Sequence, residues 1–177
     1  RALQGEMLIA REDNGQQLLG FVEADRKAGK RITGYVYAVL VTNLEHDHPD
    51  FFPTFEAMVA SFEKFTDLLP ADGTLIACAE DAGAVALIHR VRKAGKNVIA
   101  YGMQNDLTIG TSSWVLGREV KTNQRGGFDF VASSNLKNTG IDSVEVSLQV
   151  PGEHNVRNAL AVIAIVDVLG LPREKAA

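Results

Sequence analysis

Short, nearly continuous apolar runs alternate along the middle of this chain with stretches whose apolar residues return every three or four positions. "YVYAVLVTN" (35–43) is apolar almost throughout and rich in β-branched and aromatic residues. That pattern predicts a strand buried on both faces, as in a parallel sheet. "PTFEAMVASFEKFTDLLP" follows, with Phe55, Met58, Val59, Phe62, Phe65, Leu68 and Leu69 at helical spacing. Pro53 and Thr54 suit the start of that helix. "GTLIACAED" reads as a second buried strand, "DAGAVALIHRVRKAGK" as a second helix and "KNVIAYG" as a third strand. A β-α-β-α-β rhythm with short loops predicts a parallel α/β sheet.

From about Leu107 to Val150 the pattern changes. "LTIGTSSWVLG", "GGFDFVAS" and "SVEVSLQV" are strand-like runs separated by turn residues, with no helix between them. An antiparallel hairpin or meander attached to the sheet is expected there. "GEHNVRNALAVIAIVDVLGL" then predicts a long apolar helix closed by Gly170 and Pro172. Upstream, "EMLIA" and "LLGFVEAD" read as short strands, and "DRKAGKRITG" as a loop. The expected fold class is α/β: a mostly parallel sheet flanked by helices, with an added antiparallel hairpin or meander. No repeat, low-complexity tract or long linker divides the 177 residues.

Composition narrows the function. The net charge of −4, without a basic block or stripe, argues against nucleic acid or a membrane surface as partner. A nucleotide, which a few local groups can hold, stays compatible. No apolar run reaches the roughly 18 residues of a membrane span. The single cysteine, Cys78, lies inside "TLIACA" and reads as a buried core thiol. One cysteine forms no internal disulfide, which fits a reducing, cytoplasmic setting. The chain begins with Arg1, so it is expected to be a piece of a longer protein.

Three stretches carry candidate chemistry. "VTNLEHDHPDFFPT" places Glu45, His46, Asp47, His48 and Asp50 just after a strand. Ligands of parallel α/β sheets sit outside the carboxyl ends of strands. Carboxylate with imidazole suits Mg²⁺, Mn²⁺ or Zn²⁺. The competing expectation is that Asp47 and Asp50 cap the next helix and the histidines are solvated. "PGEHNVRNAL" puts His154, Asn155 and Asn158 at the start of the last helix. Asn155 and Asn158 are spaced to share a face, and paired amides offer a nucleobase both donor and acceptor. Ordinary capping by Asn155 is the alternative. "FVEAD" ends a strand in Glu23 and Asp25, which could equally be exposed acids.

Together these stretches resemble the central domain of the Mur ligases, ATP-dependent amide-forming enzymes of peptidoglycan synthesis. The family motifs match "EAD" at 23–25, "TNLEHDHPD" at 42–50 and "PGEHNVRNA" at 151–159, in that order. "FEKFTDLLPADGTLIACAEDAG" and "VIAYG" resemble the intervening elements, so the likeness covers about Phe21 to Pro172. Within the family it is strongest to the member joining L-alanine to UDP-N-acetylmuramate. The resemblance implies that Glu23 and His48, 25 residues apart, hold Mg²⁺ (Mn²⁺ in its place) and are the catalytic pair. It implies that His154, Asn155 and Asn158 surround the adenine of ATP. Asn43, Glu45, Asp47 and Asp50 match the motif as substrate or supporting residues. The implied reaction runs through an acyl phosphate: the muramate carboxylate attacks the γ-phosphoryl group, and the alanine amine then displaces phosphate. A metal is needed where two anions meet.

The sequence also departs from the family. No G-x-x-x-x-G-K-[ST] phosphate loop is present, and neither "KAGKRITG" nor "RKAGKNV" supplies one. "RKAGKR" replaces an acidic and serine run after "EAD", and Glu153 stands where arginine is common. The expectation is an incomplete central ATP-binding domain over residues 1–177, inactive alone. The phosphate-loop segment, the N-terminal UDP-binding domain and the C-terminal domain would lie outside it. Three alternatives remain: a ligase recycling a murein tripeptide, a non-catalytic nucleotide-binding module, and a hydrolase using His46, His48 and Asp50. The hydrolase would need more histidines, and only His89, on a charged helix, and His154 remain.

Overall fold

The computed structural model describes residues 6–11, 17–22, 38–46, 49–103, 111–136 and 141–173, the first two segments by their backbone alone. β1 (Glu6–Arg11) and β2 (Gln17–Val22) pair antiparallel, Glu6 opposite Val22. A separate six-stranded sheet follows chain order: β3 (Ala38–Val41), β4 (Thr74–Cys78), β5 (Asn97–Gly102), β6 (Ser113–Thr122), β7 (Phe128–Ser134) and β8 (Asp142–Ser147). β3 to β6 are parallel, and β6 to β8 are antiparallel. The expected fold class is the one observed.

β6 joins the two halves, because Ser113 to Leu116 pair with β5 and Val115 to Thr122 with β7. It runs through the polar "REVKT", past the segment that reads as strand. Arg118, Glu119, Lys121 and Thr122 are exposed, so no apolar alternation marks this outer half. Pairing with β7 holds it instead, a case of tertiary context overriding side-chain pattern. The register slips between Arg118 and Lys121, and Glu119 sits there at φ 54°.

Alternation along the central strands explains their continuous apolarity. Leu75, Ala77, Val98 and Ala100 face α1 (Phe55–Asp67) and α2 (Ala82–Lys93), packing with Met58, Leu87, Ile88 and Val91. Ile76, Cys78, Ile99 and Tyr101 face α3 (Glu153–Val168), packing with Val156, Leu160, Ile163 and Ala164. Burying each large aliphatic side chain contributes about 1.5–3 kcal/mol. The strands therefore leave polar residues only at their ends, where the loops begin.

The helix ends follow local chemistry. Thr54 caps α1, its hydroxyl accepting from Ala57 N at 3.2 Å; Asp50, exposed upstream, is not the cap. Gly170 closes α3 at φ 64°, with Leu171 N bonded to Val166 O and Gly170 N to Asp167 O. Arg173 then folds back and is 3% exposed. Its Nε donates to Asp167 Oδ1 at 2.6 Å, its Nη2 to Ser134 Oγ, and its Nη1 lies 3.4 Å from Asp142 Oδ2. This cluster ties the end of α3 to β7 and β8. No helix among the described residues is long and apolar enough to cross a membrane.

Candidate functional site

The carboxyl ends of β3, β4 and β5 meet the first turn of α3 around a cavity of about 380 Å³. Thr42, Asn43 and Glu45 enter from the segment after β3. Cys78 and Tyr101 form the floor at the ends of β4 and β5, and Glu80 and Asp81 follow β4. His154, Arg157 and Asn158 close the cavity from α3.

The two acids after β4 organise these elements. Asp81 caps α2, its Oδ1 accepting from Ala84 N at 2.7 Å. The same oxygen accepts from Leu44 N at 3.1 Å, which fastens the β3 loop to the start of α2. Glu80 turns the other way. Its Oε1 accepts from Met103 N, just past β5, and its Oε2 from Arg157 Nε at 2.7 Å. A Cβ at position 102 would lie 2.9 Å from Glu80 Oε1, so glycine there lets the carboxylate reach the β5 end.

On α3 the cavity face is His154, Arg157 and Asn158, spaced i, i+3 and i+4. Gly152 is the N-cap at φ 94°, a conformation that favours glycine. Asn155 is therefore not the cap. Its Nδ2 donates to Pro151 O at 2.6 Å, holding the turn that leads into the helix. The structure thus brings His154 and Asn158 together at the cavity with Asn43 and Glu45, while Asn155 does not line it. The α3 residues that border the cavity are thus a histidine, an arginine and an asparagine.

Burial sets the titration of the floor. Removal from water pushes the Cys78 thiol up, and pushes the Tyr101 phenol well above its ordinary range. The Glu80 hydrogen bond holds Arg157 still more firmly in its charged form. Both floor groups are therefore neutral and the wall cation is permanent at neutral pH.

Other expected residues fall elsewhere. Glu23, Asp25, Asp47 and His48 lie outside the described residues. His46 Nε2 donates to Phe52 O at 2.8 Å, and His46, Asp50 and His89 are exposed. Among the described residues no group of three or more His, Cys, Asp or Glu could hold a metal. The lining offers one guanidinium, one imidazole, two amides and the carboxylate of Glu45, while the carboxylates of Glu80 and Asp81 are committed to Met103 N, Arg157, Leu44 N and Ala84 N. Sequence reasoning passed over Glu80, Asp81, Tyr101 and Arg157. The "ED" after the second strand carried the same strand-end signal that singled out 43–50, and Arg157 is three residues beyond His154.

A mixed sheet flanked by helices, with its polar cavity at the carboxyl ends of the parallel strands, defines an α/β domain whose cavity lies where such sheets bind ligands. The sequence matches the Mur ligase middle domain over residues 10–166. The chain belongs to the Mur ligase family. It is 38% identical over 155 residues to the UDP-N-acetylmuramate–L-alanine ligase of Arthrobacter sp. (strain FB24). It is 34% identical over 154 residues to the enzyme of that name from Renibacterium salmoninarum. These alignments cover 87% of this chain and 30% of each relative, so the chain spans under a third of their length. Among solved structures, MurF from Acinetobacter baumannii matches with a TM-score of 0.59 at 18% identity, over 80% of this chain and 28% of that one. That likeness supports the fold.

Proposed function

We propose that this chain is the central ATP-binding portion of a cytoplasmic ligase that joins L-alanine to UDP-N-acetylmuramate in peptidoglycan precursor synthesis. The observation carrying the reading is the cavity at the carboxyl ends of β3 to β5, walled by His154, Arg157 and Asn158 and bordered by Asn43 and Glu45. Those residues belong to the motif stretches "TNLEHDHPD" and "PGEHNVRNA". The names of the two relatives support the choice of substrates.

In this reading His154 and Asn158 meet the adenine of ATP, and Asn155 holds the entering turn. Asn43, Glu45 and Asp47 support the substrate end. Glu23 and His48 bind Mg²⁺, which when bound neutralises charge where the γ-phosphate and the muramate carboxylate approach. The phosphate loop and the domains that bind the UDP moiety and the amino acid belong to the rest of the full-length protein.

The test is calorimetric titration of the full-length protein with ATP, with and without Mg²⁺, alongside phosphate release. Binding should require Mg²⁺ for full affinity, and that dependence should vanish in Glu23→Ala and His48→Ala. Phosphate should appear only when UDP-N-acetylmuramate and L-alanine are both present. Failure to release phosphate with both substrates would overturn the reaction assigned here.

A further inference from the structure

We propose that Glu80 is a positioning residue of the nucleotide pocket, acting through Arg157. The inference rests on the nucleotide reading above. It adds a device that sets the pocket's shape.

The argument begins with how α3 is held. Val156, Leu160, Ile163 and Ala164 pack on the sheet through apolar contacts, which have no preferred direction. A directional bond from the first turns adds a further constraint on where the cavity face points. No side-chain hydrogen bond caps the helix at Gly152. One directional contact from the first turns of α3 to the sheet end is Arg157 Nε to Glu80 Oε2 at 2.7 Å, across 77 residues of sequence.

Glu80 is suited to that task. Its side chain is 9% exposed against 34% for Arg157, so the carboxylate is the buried anchor and the guanidinium reaches the cavity. A carboxylate so placed is stable only when paired and hydrogen-bonded. Its second oxygen accepts from Met103 N, so one side chain sets the helix against the end of β5. Arg157 Nη2 also lies 3.8 Å from Glu153 Oε2, an exposed pair of small worth. His154 and Asn158 stand on the same face, three residues before Arg157 and one after it. Wherever Arg157 is pinned, they follow. Glu80 thus presets both groups before a ligand arrives, which reduces the ordering that binding would require.

The experiment uses the full-length protein and follows nucleotide Kd by calorimetry, KM and kcat for ATP, and Tm. The variants are Glu80→Ala, Glu80→Gln, Arg157→Ala and the double Glu80→Ala/Arg157→Ala. Ile163→Val, a core change on the same helix away from the cavity, controls for stability loss alone. Glu80→Ala and Arg157→Ala should each weaken nucleotide binding about 10-fold, the worth of one hydrogen bond to a charged group. KM should rise more than kcat falls. The double variant should be no worse than the weaker single, and Glu80→Gln, which keeps one acceptor, should recover part of the loss. Ile163→Val should lower Tm and leave Kd unchanged.

If Glu80→Ala and Glu80→Gln fold and bind nucleotide normally while His154→Ala and Asn158→Ala bind weakly, the positioning role is overturned and the nucleotide site stands. If none of these variants changes nucleotide binding, the nucleotide reading fails and this inference fails with it. Additive effects of Glu80 and Arg157 in the double variant would also overturn the coupling. Should Glu80→Ala not fold, Glu80→Gln and Arg157→Ala decide alone.

Discussion

Asp81 holds the backbone N–H of Leu44, 37 residues earlier in the chain, at 3.1 Å, with the same oxygen that caps α2. Two elements of the cavity rim thus share one acceptor. Asp81→Ala should lower stability by about 1–2 kcal/mol, the usual loss of a helix cap with a second bond broken. Asp81→Asn keeps an acceptor and should lose less. Denaturant midpoints measure both, and equal losses would show that charge, not the shared oxygen, matters.

The clamp at the other end of α3 tests differently. Arg173 and Asp167 are both nearly inaccessible, with side chains 2% and 1% exposed. Asp167→Ala leaves a buried cation without its main partner and should cost about 3–5 kcal/mol. Replacing both, Asp167→Leu with Arg173→Met, should recover most of that loss. Thermal unfolding of the single and double variants checks it, and a double variant as unstable as the single would refute the account.

Glu119 occupies a left-handed conformation at the β6 bulge. A side chain there costs about 1–2 kcal/mol relative to glycine. Glu119→Gly should raise the unfolding midpoint, whereas Glu119→Val should lower it, because a β-branched residue tolerates that φ least. A destabilised glycine variant would mean that the Glu119 side chain contributes more than its backbone costs.

Alkaline pH should destabilise the chain through its floor. Cys78 and Tyr101 both have folded pKa values raised by burial. Below the pKa of the unfolded thiol and phenol, both groups are neutral in either state and full stability is present. Above about pH 8.5–10 the unfolded chain loses protons that the folded chain keeps, so stability falls as pH rises. Tyr101→Phe should flatten the upper part of that fall. A Tm constant from pH 8 to pH 11 would contradict the burial account.

The two asparagines of α3 should separate. Asn158→Ala should weaken nucleotide binding by about 1–3 kcal/mol, the cost of leaving a buried polar group of the ligand unpaired. Asn155→Ala should mainly lower stability, since its amide is committed to Pro151 O. Equal effects on nucleotide Kd would place Asn155 at the ligand after all.

The sheet was legible because its central strands are buried on both faces, and a run such as "TLIAC" has few other ways to fold. α1, α2 and α3 announced themselves by spacing, with Thr54 at the start of α1 and Gly170 at the end of α3. The outer half of β6 was not legible. In "REVKT" only Val120 touches the core, and partner strands, not its own pattern, make it a strand. The orientation of Asn155 toward Pro151 O was not legible for a similar reason. Spacing on a helix tells which residues share a face, but not which face meets the sheet.

By itself the sequence determined the order of strands and helices, the switch from parallel to antiparallel pairing, and the motif stretches that line the cavity. It did so because burial periodicity and capping are local properties. Only the tertiary structure decided that Glu80 and Arg157 form a pair, that Asp81 serves both Leu44 and α2, and that His154 and Asn158 face the cavity while Asn155 does not. Those contacts join residues far apart in the chain. Their partners are chosen by how α3 docks across the carboxyl ends of β4 and β5, and no local pattern records that docking.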